Sequence, residues 1–321
     1  MPEPGPNLPD VFTDKASGRK IDLLDYKAAN MRLSWLLALF MIGLLVAIAY
    51  LLAQVTDPGS TAFFVGVALL LGAGQSVVGF WFSDKLALAA AGARPATVDE
   101  HRYLVNVAEA VAIGAGVPMP KVYVIDSPAP NAFATGRDPQ HGTLAVSTGL
   151  LELLDRQQLE GVVAHEMAHI RNYDIRFMSM LVATLGAIVV LRDLVMRWSY
   201  FGGSGRSSRR DRGGGGSGQG VMLILLVVLL VLGPVLGALL RLAVSRRREY
   251  LADAAAAYIT RNPEGLAQAL ERLRDYRGPR LEVSEGVRHM FIVNPAMGLN
   301  GTDMMATHPP ISERISRLRR M

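Results

Sequence analysis

The sequence predicts an α-helical membrane protein with about four transmembrane helices and a helix-dominated α+β domain outside the bilayer. Three observations point there. Half of the 321 residues are hydrophobic and the mean hydropathy is positive, at +0.27. Charge is excluded from residues 35–54, 61–82 and 221–240, and a helix of about 20 residues is long enough to cross a hydrocarbon core. Elsewhere apolar residues recur at helical spacing, or alternate over short stretches bounded by caps and turn residues.

In chain order, residues 1–32 read as a polar cytosolic segment carrying Lys15, Arg19, Lys20, Lys27 and Arg32. Residues 33–82 read as a transmembrane hairpin. Its tight turn, 55–60, holds Asp57 and no cation, while Lys85 and Arg94 follow the second run. Cations gather at the cytoplasmic ends of spans, so the N-terminal segment and the region after Phe82 both belong in the cytoplasm. The first run is too long and too far from Met1 for a cleavable secretory segment, and is expected to remain as an anchor.

Residues 177–240 read as a second hairpin. Its first run, 177–191, is prolonged past Arg192 and Asp193 by Leu194, Val195 and Met196; a buried core helix is the competing reading for so short a run. Its second run contains Pro234, tolerable where neighbouring helices satisfy the freed carbonyl. The loop between them, 202–220, is rich in Gly and Ser and reads as a flexible tether. It carries Arg206, Arg209, Arg210 and Arg212, which a membrane hairpin would place on the outer side, against the charge rule.

The remaining stretches, 83–176 and 241–321, are expected to form one domain split in sequence. Thr97 with Glu100 caps a helix running toward Gly114; residues 121–125 and 143–147 alternate like short strands. Asp155 with Gln158 makes a capping-box start for a helix with Leu159, Val162, Val163 and Ile170 at helical spacing. Asn262-Pro263 opens a further helix reaching about Arg277, and another follows Pro310. There is no internal repeat.

The chain has no cysteine, so a bound metal must use histidine and carboxylate. Its net charge of +5 fits a protein lying against anionic lipid. The cations follow membrane-flanking and helix-surface positions rather than an aromatic-interleaved strip, so nucleic acid is not needed to explain them and is not expected as a partner.

The chemistry centres on His165-Glu166-Met167-Ala168-His169. On a helix this spacing puts two imidazoles one turn apart on one face, with Glu166 about 100° around, within reach of a metal-bound water. It is the signature of a zinc protease helix. Catalytic zinc takes three protein ligands and leaves a fourth position for water, so a third donor must lie elsewhere. The best candidate is Glu249, in Arg246-Arg247-Arg248-Glu249-Tyr250-Leu251-Ala252-Asp253. Asp253, one turn on, could accept the second ring N–H of a ligand histidine. An exposed, salt-bridged helix suits the same residues equally well. Asp174, after the histidine helix, reads either as a group that orients its neighbours or as a plain helix-end residue. His101, His141 and His289 show no ligand spacing.

The His165-Glu166-x-x-His169 helix, the Arg-Arg-Arg-Glu249-Tyr-x-Ala-Asp253 segment, Asn131-Ala132-Phe133-Ala134-Thr135-Gly136 and Thr307-His308-Pro309-Pro310 occur together with the hydrophobic segments between them. In that combination, from about Met31 onward, the chain resembles the HtpX family of membrane-bound zinc metallopeptidases, related to the CAAX prenyl proteases. The resemblance implies a zincin-like (gluzincin) protease domain binding one Zn²⁺ per chain, with Glu249 as third ligand beside His165 and His169. It implies a zinc-dependent endopeptidase of a bacterial plasma (inner) membrane, its active site in the cytoplasm, cleaving misfolded or damaged membrane proteins in quality control. His308 matches a family histidine near the site and is expected to donate to the tetrahedral oxyanion. Glu166 is expected to act as general base, and Asn131, Ala132 and Phe133 to offer an edge on which an extended substrate pairs. The oligomeric state is left open.

Two other readings compete. In an intramembrane, site-2-type metalloprotease the histidine helix would lie inside the bilayer, against which Asp155, Arg156, Glu160, Arg171 and Asp174 argue, since intramembrane charge is costly. In a non-catalytic zinc-containing membrane scaffold Glu166 would have no use, because a structural site needs no general base.

Overall fold

The computed structural model describes residues 11–14, 19–203, 246–279, 292 and 309–321. An antiparallel ribbon, β1 (Val11–Asp14) and β2 (Arg19–Asp22), leads directly into a long helix, α1 (Leu23–Thr56). Asp57 accepts a hydrogen bond from the Gly59 N–H at 3.0 Å and closes a 3₁₀ turn, from which α2 (Thr61–Ala90) returns along α1. The two helices approach closely where Gly72 faces Ile42: a Cβ there would lie 3.1 Å from the isoleucine side chain. Among the described residues these are the two helices long and apolar enough to cross a membrane, over Leu24–Val55 and Pro58–Ala90. Their outer faces are uncovered, with Leu70 at 76% and Phe63 at 69% exposure, which suits a lipid environment and would be costly in water.

The run 177–191 is the first half of α6 (Asp174–Gly203), which continues unbroken through Arg192 and Asp193. It differs from the first two runs in being covered. Phe177, Leu181, Leu185 and Ile188 are buried against Leu37, Ala38 and Met41 of α1, and Gly79 of α2 lies against Ala183. This half of α6 is therefore the third member of a helical bundle, packed on the apolar runs of α1 and α2. The expectation of about four spans meets two helices of sufficient length and apolarity; the run 221–240, with Pro234, lies outside the described residues.

The second layer is a four-stranded sheet in the order β3 (Ala93–Pro95), β4 (Lys121–Ile125), β6 (Gly142–Ser147), β5 (Ala132–Gly136). β4 and β6 run parallel and the other pairs antiparallel, leaving β5 at the edge. The caps read from the sequence do their work. Thr97 accepts the Glu100 N–H at the start of α3 (Val98–Ala115), and Gly116 ends that helix at φ +65°. Ser147 caps α4 (Thr148–Leu153), and both halves of the Asp155–Gln158 capping box are formed at α5 (Arg156–Arg171).

After the undescribed segment come α7 (Arg246–Thr260), α8 (Pro263–Asp275) and α9 (Ile311–Leu318). α8 stops at Asp275, short of Arg277, because Tyr276 turns extended and donates its hydroxyl to the Pro128 carbonyl at 3.0 Å. α5 and α8 meet at backbone distance: a Cβ on Gly161 would lie 2.7 Å from the Leu266 nitrogen. One core joins both halves of the sequence, uniting Leu104 and Val107 of α3, Leu144 of β6, Leu159 and Val163 of α5, Leu270 of α8 and Ile315 of α9. Each such side chain contributes about 1.5–3 kcal/mol on burial, so this shared core holds the two halves together.

Candidate metal centre

α5 is fixed at its start by the capping box and along its length by burial, which leaves no freedom in where His165 and His169 point. Opposite them lies α7, brought close because small residues meet at the contact, Ala168 against Ala252 and Ala255. The approach carries Glu249 and Asp253, one turn apart, onto the histidine face.

His165, His169 and Glu249 each offer a ligand atom, and these atoms lie within 4.8 Å of one another. The two Nε2 atoms are 3.2 Å apart, and each is 3.7 Å from a Glu249 oxygen. Each ring uses its other nitrogen on a carboxylate: His165 Nδ1 lies 3.0 Å from Asp253 and His169 Nδ1 2.9 Å from Asp174. If both Nδ1 atoms donate their protons to these carboxylates, the two Nε2 atoms are left facing each other as paired donors to a metal ion. Two corners of a tetrahedron with zinc–nitrogen bonds of about 2.0–2.1 Å are separated by about 3.3 Å. The residues present therefore fit a zinc ion.

The electrostatics agree. Burial works against a charge on His169, but the Asp174 carboxylate, followed by Glu249 and Glu166, overcomes it and raises the pKa to about 9 in the metal-free site. Burial also works against the Asp253 carboxylate, yet Arg314 and His165 keep its pKa below the usual range. Glu166, itself 2% exposed, lines a small cavity with the three ligand groups.

Asp174 reaches back to His169 only because the chain reverses sharply after α5. Tyr173 has φ +60°, a conformation that costs a non-glycine residue about 1–3 kcal/mol and is retained where surrounding structure dictates it. The oxygen of Asp174 not facing His169 receives Asn30 Nδ2 at 2.7 Å and the Tyr26 hydroxyl at 3.3 Å, with Arg248 Nε at 3.1 Å. Asp174 thus both begins α6 and contacts the His169 ring.

Arg314 holds the other arm. Fully buried, it grips Asp253 with Nη2 at 2.6 Å and Nε at 2.9 Å, and its Nη1 lies 3.6 Å from Glu249. The sequence did carry a signal, an arginine inside the Ile311, Ile315, Leu318 stripe of an amphipathic helix, but no motif. Asn30 and Tyr26 carried none.

The proposed substrate edge divides by strand alternation. Asn131 bonds toward β6, its N–H donating to Ser147 Oγ at 2.8 Å and its carbonyl accepting the Ser147 N–H at 2.9 Å; Phe133 shares that orientation. Ala132 faces the other way, its carbonyl accepting the Ile292 N–H at 3.1 Å. Ala134, on the same side as Ala132, lines the cavity, and the edge closes at Gly136, whose N–H donates to Ser179 Oγ at 3.2 Å. His308 lies outside the described residues.

Residues 99–321 match the model of peptidase family M48. The chain is 41% identical to a Protease HtpX homolog of Caldanaerobacter subterraneus subsp. tengcongensis, over 94% of this chain and 98% of that one. It is also 41% identical to a Protease HtpX homolog of Dictyoglomus thermophilum, over 91% and 93%. Among solved structures, the crystal structure of S. mikatae Ste24p aligns with a TM-score of 0.49 and 22% identity, covering 92% of this chain and 67% of that one.

Proposed function

The chain belongs to peptidase family M48 and is a membrane-associated metalloprotease; from that premise we propose that it is a zinc endopeptidase working at the cytoplasmic surface of a bacterial inner membrane, on misfolded or damaged membrane proteins. One observation carries the reading: His165, His169 and Glu249 converge around Glu166, with an acidic partner behind each histidine. Zinc, when bound, supplies the Lewis acidity that polarises a scissile carbonyl and acidifies water. Glu166 takes the proton of the attacking water and returns it to the leaving amine. Asp253 and Asp174 fix both rings with Nε2 inward. The outer edge of β5 at Ala134 pairs with the backbone of an extended substrate, and His308, by its family motif, donates to the oxyanion.

The surface location rests on where the site sits. Asp174 touches Asn30 and Tyr26, at the head of α1 and before its uncharged run, beside Lys27 and Arg32. A site at the polar, cationic end of a span belongs at the cytoplasmic face rather than mid-membrane. Residues 83–176 and 241–321 would then form the cytosolic protease domain.

The test uses detergent-solubilised full-length protein. Glu249→Ala should lose zinc, measured by metal analysis after dialysis. Glu166→Gln should keep zinc and lose cleavage of a membrane-protein substrate; cleavage at the wild-type rate by this variant would end the assignment of Glu166 as base.

A further inference from the structure

The polar head of the first long helix, outside every motif of the protease, reaches into the metal site. Asn30 is 4% exposed and spends both amide protons there. One goes to Asp174 Oδ1 at 2.7 Å and the other to the Asn172 carbonyl at 3.0 Å. Asn172 ends α5 and Asp174 begins α6, so a single side chain bridges the two sides of the left-handed turn at Tyr173. Tyr26, one turn earlier, adds its hydroxyl to the same Asp174 oxygen at 3.3 Å. The opposite oxygen of that carboxylate is the one 2.9 Å from His169 Nδ1.

We infer that Asn30 and Tyr26 are positioning residues for the metal: acting through Asp174, they hold the His169 ring in its ligand orientation, so that zinc affinity depends on the docking of α1. The inference rests on the zinc reading of the site. A buried carboxylate has about four lone-pair directions and is held in one orientation only when most are engaged. Asn30 does this from outside the domain that supplies the ligands, and it also restrains the turn that delivers Asp174. Arg248 supplies the countercharge to Asp174, while Asn30 ties that carboxylate to the Asn172 carbonyl. The helix that anchors the protein thereby becomes a support of its chemistry, which a purely tethering helix would not be.

Outer partners of ligand histidines typically change metal affinity about 10–100-fold. Asn30→Leu, similar in size and without donors, should weaken zinc binding about ten-fold or more, measured by chelator competition on the full chain in detergent. Tyr26→Phe removes one hydroxyl only and should weaken it by less. At saturating zinc both variants should recover kcat with KM unchanged, and the melting temperature of the metal-free protein should move little with Tyr26→Phe. The double variant Asn30→Leu, Asp174→Asn should bind zinc about as weakly as Asp174→Asn alone, because both changes act on one carboxylate.

Wild-type zinc affinity in Asn30→Leu and Tyr26→Phe would overturn the inference, as would full additivity in the double variant. A fall in metal-free melting temperature with zinc affinity unchanged would also overturn it, since that is what a merely structural contact gives. Failure of the wild-type protein itself to bind zinc would instead refute the underlying assignment of the site.

Discussion

The two histidine arms of the site use the same chemistry with different support. His165 leans on Asp253, and Asp253 on Arg314, so that arm is closed by α7 and α9. His169 leans on Asp174, which is held by Arg248 of α7 and by Asn30 and Tyr26 of α1. The first arm has one cation making two close bonds; the second spreads the same task over a cation, an amide and a phenol. A single strong partner makes an arm fragile to one substitution, and distributed partners make it sensitive to the position of a whole helix.

That contrast can be broken most sharply at the cations. Arg314→Leu leaves Asp253 buried without its countercharge and should cost about 3–5 kcal/mol of stability, read from denaturant unfolding of the purified protein. Arg248→Met leaves Asp174 with its Asn30 and Tyr26 donors and should cost less, about 1–3 kcal/mol. Equal losses would show that the arms are supported alike.

Next come the carboxylates. Asp253→Asn and Asp174→Asn should each weaken zinc binding about 10–100-fold, and raising free zinc should restore activity in both. A variant that kept wild-type affinity would mark its arm as dispensable for orienting the ligand.

The metal-free site adds a pH dependence carried by the second arm. Because the pKa of His169 is raised from 6.5 to about 9 in the folded protein, protonation stabilises the metal-free fold fully below the unfolded value, and the contribution is lost as pH rises through about 9. A metal ion held at Nε2 would take the place of that proton. The gain in melting temperature on adding zinc should therefore grow from pH 7 to 9, with proton release measurable in weak buffer; a flat profile would count against it.

The smallest effect is expected from an exposed ion cluster that serves as a contrast to both arms. Arg94 bonds Glu100 and Asp126 and keeps both carboxylates below their usual pKa. Their contribution is present above the unfolded carboxylate values and is lost as pH falls through the depressed ones. Being open to solvent, the cluster should give Arg94→Ala a melting temperature close to wild type, checked by thermal unfolding at neutral pH.

The ligands were legible in the sequence because helical geometry turns spacing into direction: His165 and His169 are one turn apart whatever surrounds them. Glu249 needed the resemblance, since Arg246 to Arg248 beside it suit a solvated helix equally well. The caps at Thr97, Asp155 and Asn262 were legible because each is a local bond. Asn30 and Arg314 were not, because their partners lie 144 and 61 residues away; the apolar stripe around Arg314 marks it as buried without naming Asp253, and nothing local marks Asn30. The cover over residues 177–188 was hidden for the same reason: an apolar run looks the same facing lipid or facing α1.

Translation makes the elements of this molecule in a fixed order. The ribosome completes α1, α2 and the histidine helix first, while Glu249 and Arg314 emerge only later. A nascent polypeptide therefore holds Glu166 and the two imidazoles before Glu249, Asp253 and Arg314 exist. Both long apolar helices have left the ribosome before the catalytic assembly can close.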